Sequence, residues 1–315
     1  MIVVTGGAGF LGRRVVAALR ARNQDVRVLI RRPAQADIVK PYGAEVAYGD
    51  TGDADSLNRA FDGATGVIHL VAVVRKRRGA TFRSVNVEGA RNVYAAASVS
   101  GIRRSVFVSA IGAAPRSPEP YFASRWEGEE VARASGIPTT VARFSSLFGE
   151  GDEFFNVMAA LVKVAPIVPI PGRGKTRFQP IHVEDAAQVC VRALQDDSKI
   201  GRTFELGGPD VLTYRQMVST VARAMGKRRL QVPVPPAVMG PAVIAMSWFM
   251  ESPPVTPDQF RMLRYDSVGK PGLVESEFRF KPRPLRGNID FIRSVTYWDA
   301  VRIMLGRMPS HIRDH

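Results

Sequence analysis

Short apolar runs alternate with segments of helical periodicity over the first 150 residues. The apolar runs predict strands at 2–4, 26–30, 45–48, 66–71, 105–109 and 139–143. The periodic segments between them predict helices at 11–22, 53–61, 82–100 and 126–135. This alternation predicts an α/β fold with a doubly wound parallel sheet that helices cover on both faces. Right-handed crossovers then bring the carboxyl ends of the strands to one edge, where ligands bind.

The pattern changes near residue 150, because prolines become frequent in the second half of the chain. This change predicts a sheet domain at 1–150 and a smaller α/β lobe at 151–315, with a strand near 203–206 that returns to the sheet. A helical pattern also runs through 285–305. The segment 235–250 is almost entirely apolar, but it is too short to span a bilayer and is interrupted by Gly240 and Pro241. We expect this segment to contact a membrane or a partner.

A glycine-rich turn follows the first predicted strand and opens the first predicted helix. Its glycines satisfy the G-x-G-x-x-G spacing in the strand–turn–helix context that the motif requires. The first glycine permits a tight turn, the second lets the backbone approach a pyrophosphate, and Gly12 lets the helix pack closely. A pyrophosphate then lies at the positive N-terminus of the helix. The motif predicts a Rossmann-type dinucleotide site formed by Thr5, Gly6, Gly7, Gly9, Phe10, Leu11 and Gly12.

The second strand ends in two arginines, Arg31 and Arg32. An NAD site usually offers a carboxylate to the adenosine ribose at this point. Guanidinium groups instead suit a 2′-phosphate, which they bind through bidentate, charge-assisted hydrogen bonds. The sequence therefore predicts NADP(H) as the preferred cofactor, with NAD(H) as the alternative. Most of this preference is assigned to Arg31, because Arg32 can face solvent.

Further cofactor contacts are expected after the third and fourth strands. Gly49 and Asp50 follow the third strand, where the carboxylate could accept a hydrogen bond from the adenine amino group. Leu70, Val71 and Ala72 close the fourth strand, and they place small and apolar side chains against the adenosine and its ribose.

The charge balance is strongly basic, since 44 Lys and Arg against 29 Asp and Glu give a net charge of +15. Such a charge favours an anionic partner, either a phosphorylated ligand such as a dinucleotide, an anionic membrane surface or nucleic acid. Nucleic acid is not expected, because aromatic residues do not interleave with the arginine clusters and no helix-turn-helix or zinc pattern is present.

The redox and targeting signals point to the cytoplasm. The single cysteine, Cys190, excludes an intramolecular disulfide and is expected to be an inert packing residue in a reducing compartment. The first residues already form a strand, so no leader is expected. We therefore expect a cytoplasmic protein that can be peripheral at the membrane.

Several of these stretches carry a resemblance to a known family. The matching residues are 5–12, 49–50, 69–72, 86–89, 106–109, 121–125 and 143–149. They resemble the extended and atypical short-chain dehydrogenase/reductases, an epimerase/dehydratase-like group. Residues 177–185, 205–209, 212–214 and 256–263 resemble, within that group, the nucleotide-binding accessory subunits of respiratory complex I and their bacterial relatives. The resemblance implies an NAD(P)-binding Rossmann domain and a respiratory-chain assembly as partner. It also implies cofactor contacts from Asn86, Ser109, Tyr121, Arg125 and Phe144.

Catalysis in that family rests on a Tyr-x-x-x-Lys helix and a serine or threonine, with the tyrosine as general acid and base. Tyr121 keeps its place here, and the residue one turn later is Arg125 instead of lysine. Ser109 ends the fifth strand, but Ile111 takes the position where the catalytic hydroxyl often lies. Arginine keeps the positive charge but does not release its proton. The candidate catalytic residues are thus Tyr121, Arg125 and Ser109, in a protein expected to retain the cofactor with lost or weakened turnover.

Other candidate groups are expected to be structural. His182 and Asp185 lie at a strand-to-helix junction, where the carboxylate can bond backbone and the imidazole can pack. Arg143 and the loop at 144–149 follow the sixth strand and are expected to close over the nicotinamide end. The four histidines, at 69, 182, 311 and 315, form no metal-spaced cluster, so no metal is expected.

Three functions remain open. The first is a binding protein that holds NADP(H) as a stabilising ligand and docks on a membrane or a respiratory assembly. The second is a slow oxidoreductase acting on a hydrophobic, quinone-like carbonyl. The third, favoured less because the catalytic set is incomplete, is an epimerase or dehydratase acting on a sugar nucleotide.

Overall fold

The computed structural model describes residues 1–76, 79–250 and 252–312 of the chain. His315, one of the four histidines considered above, lies outside the described residues.

Thirteen strands occur in the described residues. Their bounds are β1 (Ile2–Thr5), β2 (Val26–Ile30), β3 (Glu45–Tyr48), β4 (Gly66–His69), β5 (Arg104–Ala110), β6 (Thr139–Phe144), β7 (Leu147–Phe148), β8 (Ile167–Pro171), β9 (Arg177–Phe178), β10 (Ile181–His182), β11 (Thr203–Leu206), β12 (Leu212–Thr213) and β13 (Leu230–Val234). Seven of them form one parallel sheet in the order β3-β2-β1-β4-β5-β6-β11, and the others form the pairs β7–β10, β8–β13 and β9–β12. The predicted doubly wound parallel sheet is confirmed.

Twelve α-helices occur in the same part of the chain. Their bounds are α1 (Phe10–Arg20), α2 (Ala36–Val39), α3 (Ala54–Phe61), α4 (Gly89–Val99), α5 (Pro120–Ala134), α6 (Phe154–Val164), α7 (Val183–Gln195), α8 (Tyr214–Ala224), α9 (Pro236–Phe249), α10 (Pro257–Met262), α11 (Leu273–Phe278) and α12 (Tyr297–Met304). A π-helical turn at Arg83–Glu88 leads directly into α4, and 3₁₀ turns lie at Pro33–Gln35, Lys40–Tyr42, Asp197–Lys199 and Asp290–Ser294. No helix of the described residues is long and apolar enough to cross a membrane.

Polar caps fix where several helices begin. The Asp53 carboxylate accepts hydrogen bonds from two backbone N–H groups of the first turn of α3. Thr213, Thr256 and Thr296 begin α8, α10 and α12 with capping boxes, in which the side chain three residues later bonds back to the threonine N–H. These short motifs satisfy N–H groups that have no partner within the helix.

Two predicted bounds are corrected. The helix predicted from residue 126 begins at Pro120, because proline at the first helical position has a suitable φ and no N–H to leave unpaired. Tyr121 and Arg125 therefore lie on one helix, α5. The helical pattern predicted at 285–305 divides into the 3₁₀ turn at Asp290–Ser294 and the short helix α12.

The sheet separates two apolar layers. Alternate strand residues such as Val3, Val67 and Phe107 pack under α3 and α4. Their neighbours, such as Val4 and Ile68, pack under α1 and α7. Both α7 and β11 come from the second half of the chain, so that half contributes to the sheet as well as to the smaller lobe.

The smaller lobe has its own core. It is built around α6, α8, α12 and β8, with Phe155, Met158, Val218 and Ile303 among its buried side chains. Asp152 lies just before α6, where its carboxylate accepts a hydrogen bond of 2.6 Å from the N–H of Phe155. Burial raises the pKa of Asp152 to about 7, although the backbone N–H groups around it favour the charged form.

This buried carboxyl predicts a pH dependence of stability. Between about pH 4 and pH 7 the folded protein keeps a proton on Asp152 that the unfolded chain has lost, so this group's contribution to the free energy of unfolding falls as the pH rises through that window. Above pH 7 its contribution is constant. Urea unfolding of the wild type and of Asp152→Asn between pH 5 and pH 8 measures the effect. The asparagine still caps α6, so the variant should gain stability relative to the wild type as the pH rises. Parallel curves would show that Asp152 ionises normally.

Candidate functional site

The sheet order creates a crevice between β1 and β4. From β1 the chain winds outward through β2 to β3, and from β4 it winds the other way through β5 and β6. The loops that leave β1 and β4 therefore diverge at the carboxyl edge of the sheet. In open parallel sheets this divergence is where ligands bind.

The turn between β1 and α1 has no room for side chains. Gly6 has a φ of +76°, and a Cβ atom on it would lie 3.3 Å from Val71. A Cβ on Gly7 would lie 2.6 Å from Val28, and one on Gly12 would lie 2.1 Å from the carbonyl oxygen of Gly6. Gly9 precedes α1 without a capping side chain. The first N–H groups of α1 therefore point into the crevice from a turn built of backbone alone.

The two arginines after β2 reach the same edge. Both are exposed, and the side chain of Arg31 is 66% exposed with its Nη1 3.5 Å from the Asp50 carboxylate. Asp50 also accepts a hydrogen bond of 2.7 Å from the N–H of Gly52, so one of its oxygens holds the turn after β3. An exposed ion pair of this length is weak. The guanidinium of Arg31 thus retains donors for another anion.

The loop after β4 lines the other side of the crevice. Leu70 donates its N–H to the carbonyl of Thr5, and Val71 contacts the glycine turn. Ala72 is exposed. Beneath this loop, the Thr5 hydroxyl and the His69 Nδ1 are 2.8 Å apart and fully buried. Burial lowers the pKa of His69 to about 3, with a further contribution from the charge of Arg125, so the imidazole is neutral.

Arg125 is the most unusual side chain of the site. It is only 2% exposed, and its guanidinium lies 5.1 Å from the centre of the Phe107 ring. Nη2 donates to the carbonyl oxygen of Val108, but Nε and Nη1 have no hydrogen-bond partner among the described residues. Burial lowers the pKa of Arg125, against the opposing effects of Tyr121 and Glu129. Leaving a buried cationic donor unsatisfied costs free energy.

Two further orphaned atoms lie beside this guanidinium. The Ser109 hydroxyl is buried at the end of β5, on the same strand face as Phe107, and it has no partner in the described part of the chain. The Nε2 atom of His69 is also unpartnered, and its ring centre lies 5.4 Å from that of Phe107. Buried polar atoms are nearly always hydrogen-bonded. Their convergence at the carboxyl ends of β4 and β5 fits a polar ligand such as the ribose of a nicotinamide nucleotide.

Tyr121 lies in a small apolar cluster at the start of α5. Its ring contacts Phe82 and Phe122, and Met262 of α10 packs against the same cluster. Burial raises the pKa of Tyr121, although the positive charge of Arg125 opposes this. The hydroxyl is therefore protonated at neutral pH.

Asn86 positions the elements around the site. Its amide oxygen accepts from the N–H of Val73, and its amide nitrogen donates to the carbonyl of Val73 and to the hydroxyl of Ser124. These bonds tie the loop after β4 to α5 and use both N–H donors of the side chain. Direct contact between Asn86 and a cofactor stays a prediction.

The last two residues of β6, Arg143 and Phe144, have their side chains bonded or packed within the protein. The Phe144 ring is buried in the core that includes α7. Arg143 makes two hydrogen bonds to Glu129, of 2.8 and 2.7 Å, and one of 3.1 Å to Glu205. Closure of Arg143 or Phe144 over a nicotinamide stays a prediction.

The remaining candidates have structural roles. His182 caps α7 and packs edge-on against Phe148, and Asp185 accepts a hydrogen bond of 2.7 Å from the N–H of Arg283. These are the roles expected for that pair. Cys190 is fully buried in the core, and burial raises the pKa of its thiol.

Sequence reasoning missed two features of the site. One is the buried Thr5–His69 pair, although the strand-end position of His69 was a signal that could have identified it. The other is the contact of α10 with the tyrosine cluster, which joins residues 140 positions apart and leaves no local pattern.

Comparisons with known proteins agree with this geometry. Residues 2–207 match the family model described as "NAD dependent epimerase/dehydratase family". The chain is 33% identical, over 68% of its length, to the NADH dehydrogenase [ubiquinone] 1 alpha subcomplex subunit 9 of Arabidopsis thaliana mitochondria, and it spans 55% of that protein. It is 29% identical to the ceramide reductase of Caulobacter vibrioides, over 79% of this chain and 78% of that one.

The fold is similar to that of a solved oxidoreductase. An NADPH-dependent quinone oxidoreductase from Escherichia coli, complexed with NADPH, superposes with a TM-score of 0.74 at 19% identity, over 92% of this chain and 98% of that one.

Because Arg125 has unpaired donors among the described residues and Arg143 has none, replacing each of them by methionine should affect the free energy of unfolding differently. Arg125→Met removes a buried charge with two unpartnered nitrogen atoms, so stability without nucleotide should be unchanged or higher, while stabilisation by added NADPH should be largely lost. Arg143→Met, the matched control, removes a fully paired guanidinium and should cost about 3–5 kcal/mol. Chemical unfolding with and without NADPH measures both. Nucleotide stabilisation that survives in Arg125→Met would show that the orphaned atoms do not face a ligand.

Proposed function

The chain belongs to the NAD-dependent epimerase/dehydratase family, and we propose that it holds NADP(H) along the crevice between β1 and β4. The observation that carries this proposal is the set of buried, unpartnered polar atoms on Ser109 and Arg125 at one end of the crevice. The backbone-only turn at Gly6–Gly12 lies at the middle, and Arg31 lies at the other end. Together they match the ribose, pyrophosphate and adenosine parts of a dinucleotide in order.

Each part of the chain would perform one task. The N–H groups at the start of α1 would bind the pyrophosphate. Arg31, assisted by Arg32, would bind a 2′-phosphate, and Asp50 would lie near the adenine. Arg125 and Ser109 would hold the nicotinamide ribose. When bound, the nicotinamide supplies or accepts a hydride.

We further propose that the nucleotide is mainly a structural ligand, or supports only weak turnover. Arg125 can orient a ribose hydroxyl, but a guanidinium does not release its proton and so cannot relay one from Tyr121 to solvent. The raised pKa of Tyr121 keeps its proton in place, which suits a donor and not a base. A ligand that binds only the folded state stabilises it without any chemistry.

A second candidate function is a slow reductase acting on a hydrophobic carbonyl. The supporting observation is the apolar cluster of Phe82, Phe122 and Met262 around Tyr121, where an apolar substrate could pack. One relative is called a ceramide reductase, and this name is consistent with a lipid-like substrate. Sugar-nucleotide epimerisation is less well supported, since the lysine of the catalytic helix is absent.

We also propose peripheral association with a membrane or a respiratory-chain assembly. The net charge of +15 and the similarity to a mitochondrial NADH dehydrogenase subunit support this proposal. The chain spans about half of that subunit, so its partners carry over as a proposal only.

The charge at the end of β2 predicts cofactor preference. Arg31→Ala should weaken NADPH binding about tenfold or more, because a hydrogen bond to a charged group is worth about 1.5–3 kcal/mol. NADH binding should change little, and Arg32→Ala should have the smaller effect on NADPH. Isothermal titration of both nucleotides to the three proteins measures this. An unchanged NADPH affinity in Arg31→Ala would contradict the assignment.

The nucleotide itself can be identified by denaturing the purified protein and analysing what is released. We expect NADP(H) whose redox state, in the intact protein, does not change when carbonyls, quinones or alcohols are added. Arg125→Lys should keep the nucleotide and gain turnover with at least one of them, because lysine can take part in a proton relay. Turnover by the wild type would establish the reductase. Release of no nucleotide, together with no binding of NADPH, would contradict the proposed function.

A further inference from the structure

The helix α9 exposes a surface that consists almost entirely of apolar side chains. Ser247 is its only polar side chain, and none of its fourteen residues is buried. The exposed positions 237, 238, 241, 242, 244, 248 and 249 recur at helical spacing and form one stripe. Along it Val238 is 63%, Trp248 78% and Phe249 86% exposed. A contiguous apolar surface of this kind marks an interaction site.

The opposite face of α9 holds the helix on the protein. It packs against α10, where the ring of the buried Phe260 lies beneath Gly240. The segment after the helix contacts the end of α12, since Gly306 packs against Ser252 and Met250. The neighbouring Leu305 is 64% exposed and extends the apolar surface beyond the end of α9. The stripe is therefore a fixed part of the fold.

Exposed cations that form no ion pair in the described part of the chain lie near the start of α9 and along the strand that leads to it. The turn after β8 carries the exposed Arg173 and Lys175, and its Gly172 contacts Pro236 at the start of α9. These two cations and Arg215 line a pocket of about 360 Å³. Lys227 and Arg228, both exposed, precede β13 and therefore lie at the end of that strand away from α9. Among the residues 1–76, 79–250 and 252–312, none of these five cations forms an ion pair with a carboxylate.

We propose that α9 lies in the interface of an anionic bilayer, with its apolar stripe among the acyl chains and the nearby cations bound to lipid phosphate groups. This inference rests on the peripheral association proposed above and names its surface and its partner. The charge complementarity favours lipid over a second copy of this chain, because two surfaces that share these unpaired cations repel each other. The exposed apolar and aromatic side chains of α9 can enter the acyl region, while basic residues on the neighbouring turn bind anionic headgroups.

The location of α9 relates this surface to the proposed nucleotide site. Its support α10 carries Met262, which packs on the Tyr121 cluster, and Arg261, which forms an ion pair of 3.1 Å with Glu119 at the start of α5. Docking through α9 would place the tyrosine end of the crevice beside the lipid. A lipid-soluble substrate would then enter from the bilayer.

Vesicle flotation of the full chain tests this proposal. We expect binding to phosphatidylcholine vesicles that contain 30% phosphatidylglycerol, little binding to phosphatidylcholine alone, and loss of binding at high salt, since exposed charges are screened. The double variant Trp248→Glu with Phe249→Glu should reduce vesicle binding at least tenfold. Both side chains are exposed, so the fold should persist. Val99→Glu with Ile200→Glu, which adds the same charge at exposed apolar positions elsewhere, should reduce binding much less.

The cations are tested separately. Arg173→Ala and Lys175→Ala should each lower affinity for the phosphatidylglycerol vesicles about fivefold, in line with the usual contribution of one basic residue at an anionic surface. Failure of the wild type to bind either vesicle overturns the proposal, as does unchanged binding by the Trp248 and Phe249 double variant. A dimer in sedimentation velocity that the double variant abolishes, without vesicle binding, would assign the stripe to a second copy and also overturn it. The NADPH affinity of the same variants should be unchanged. Measuring it distinguishes a failure of the lipid proposal from a failure of the proposed nucleotide site.

Discussion

The close approach of α1 to the turn that precedes it is the constraint on which the site depends. Gly12 sits so near the carbonyl of Gly6 that a methyl group there would overlap it, and Gly7 sits equally near Val28 of the adjacent strand. The helix is thereby held against the sheet with its N-terminus at the carboxyl edge. The contacts of Gly12 are with backbone atoms of Gly6 and Gly7, which cannot move without displacing the turn after β1, whereas Gly7 meets the side chain of Val28. The anion-binding end of the crevice is therefore set by packing, before any ligand is considered.

At the other end of the crevice, the hydrogen-bond partners of the buried arginines matter more than close packing. Arg125 and Arg143 are both buried arginines that face α5 or project from it, yet their surroundings differ. Arg143 meets two carboxylates, so the charge is neutralised and the pair stabilises the contact between β6 and α5. Arg125 meets one carbonyl oxygen and an aromatic ring, and the rest of its guanidinium has no partner in the described residues. A ligand that bonded these donors would remove the cost, and this difference in pairing is why the proposed function assigns Arg125, and not Arg143, to the ligand.

The sequence predicted the sheet because its signals are local. Val26–Ile30 is a largely apolar run and Thr203–Leu206 alternates polar and apolar residues, and the bounds of both strands match the prediction. The start of α5 was missed because its first turn, with Pro120 at the first helical position, has no apolar repeat to mark it. The pairing of Thr5 with His69, and the packing of Met262 on Tyr121, were missed for another reason. Each joins residues far apart in the chain, and only the order of the strands brings them together.

Which residues hold a ligand could be predicted only where a motif ties them to backbone geometry. The glycines are of this kind, since their spacing itself specifies the turn. Asn86 and Phe144 differ from the glycines. The family resemblance predicts that they lie near the cofactor, but it does not specify which atoms their side chains contact. In the structure the Asn86 amide donates both of its N–H groups to the protein, and the Phe144 ring is in the core. The contacts that the structure shows for these residues therefore place α5 and β6, which carry or adjoin Arg125 and Ser109, while their direct contact with a cofactor stays a prediction.

The excess positive charge acts at two different ranges. Cations such as Arg173 and Lys175 are exposed, so salt screens them beyond about 8 Å and they distinguish only charged from neutral surfaces. Arg125 is buried, and its Nε and Nη1 atoms have no partner among the described residues, so under the proposed function the oxygen atoms of a bound nucleotide would satisfy them. Because α10 touches both α9 and the Tyr121 cluster, the proposed lipid surface and the proposed nucleotide site would lie on either side of a single short helix.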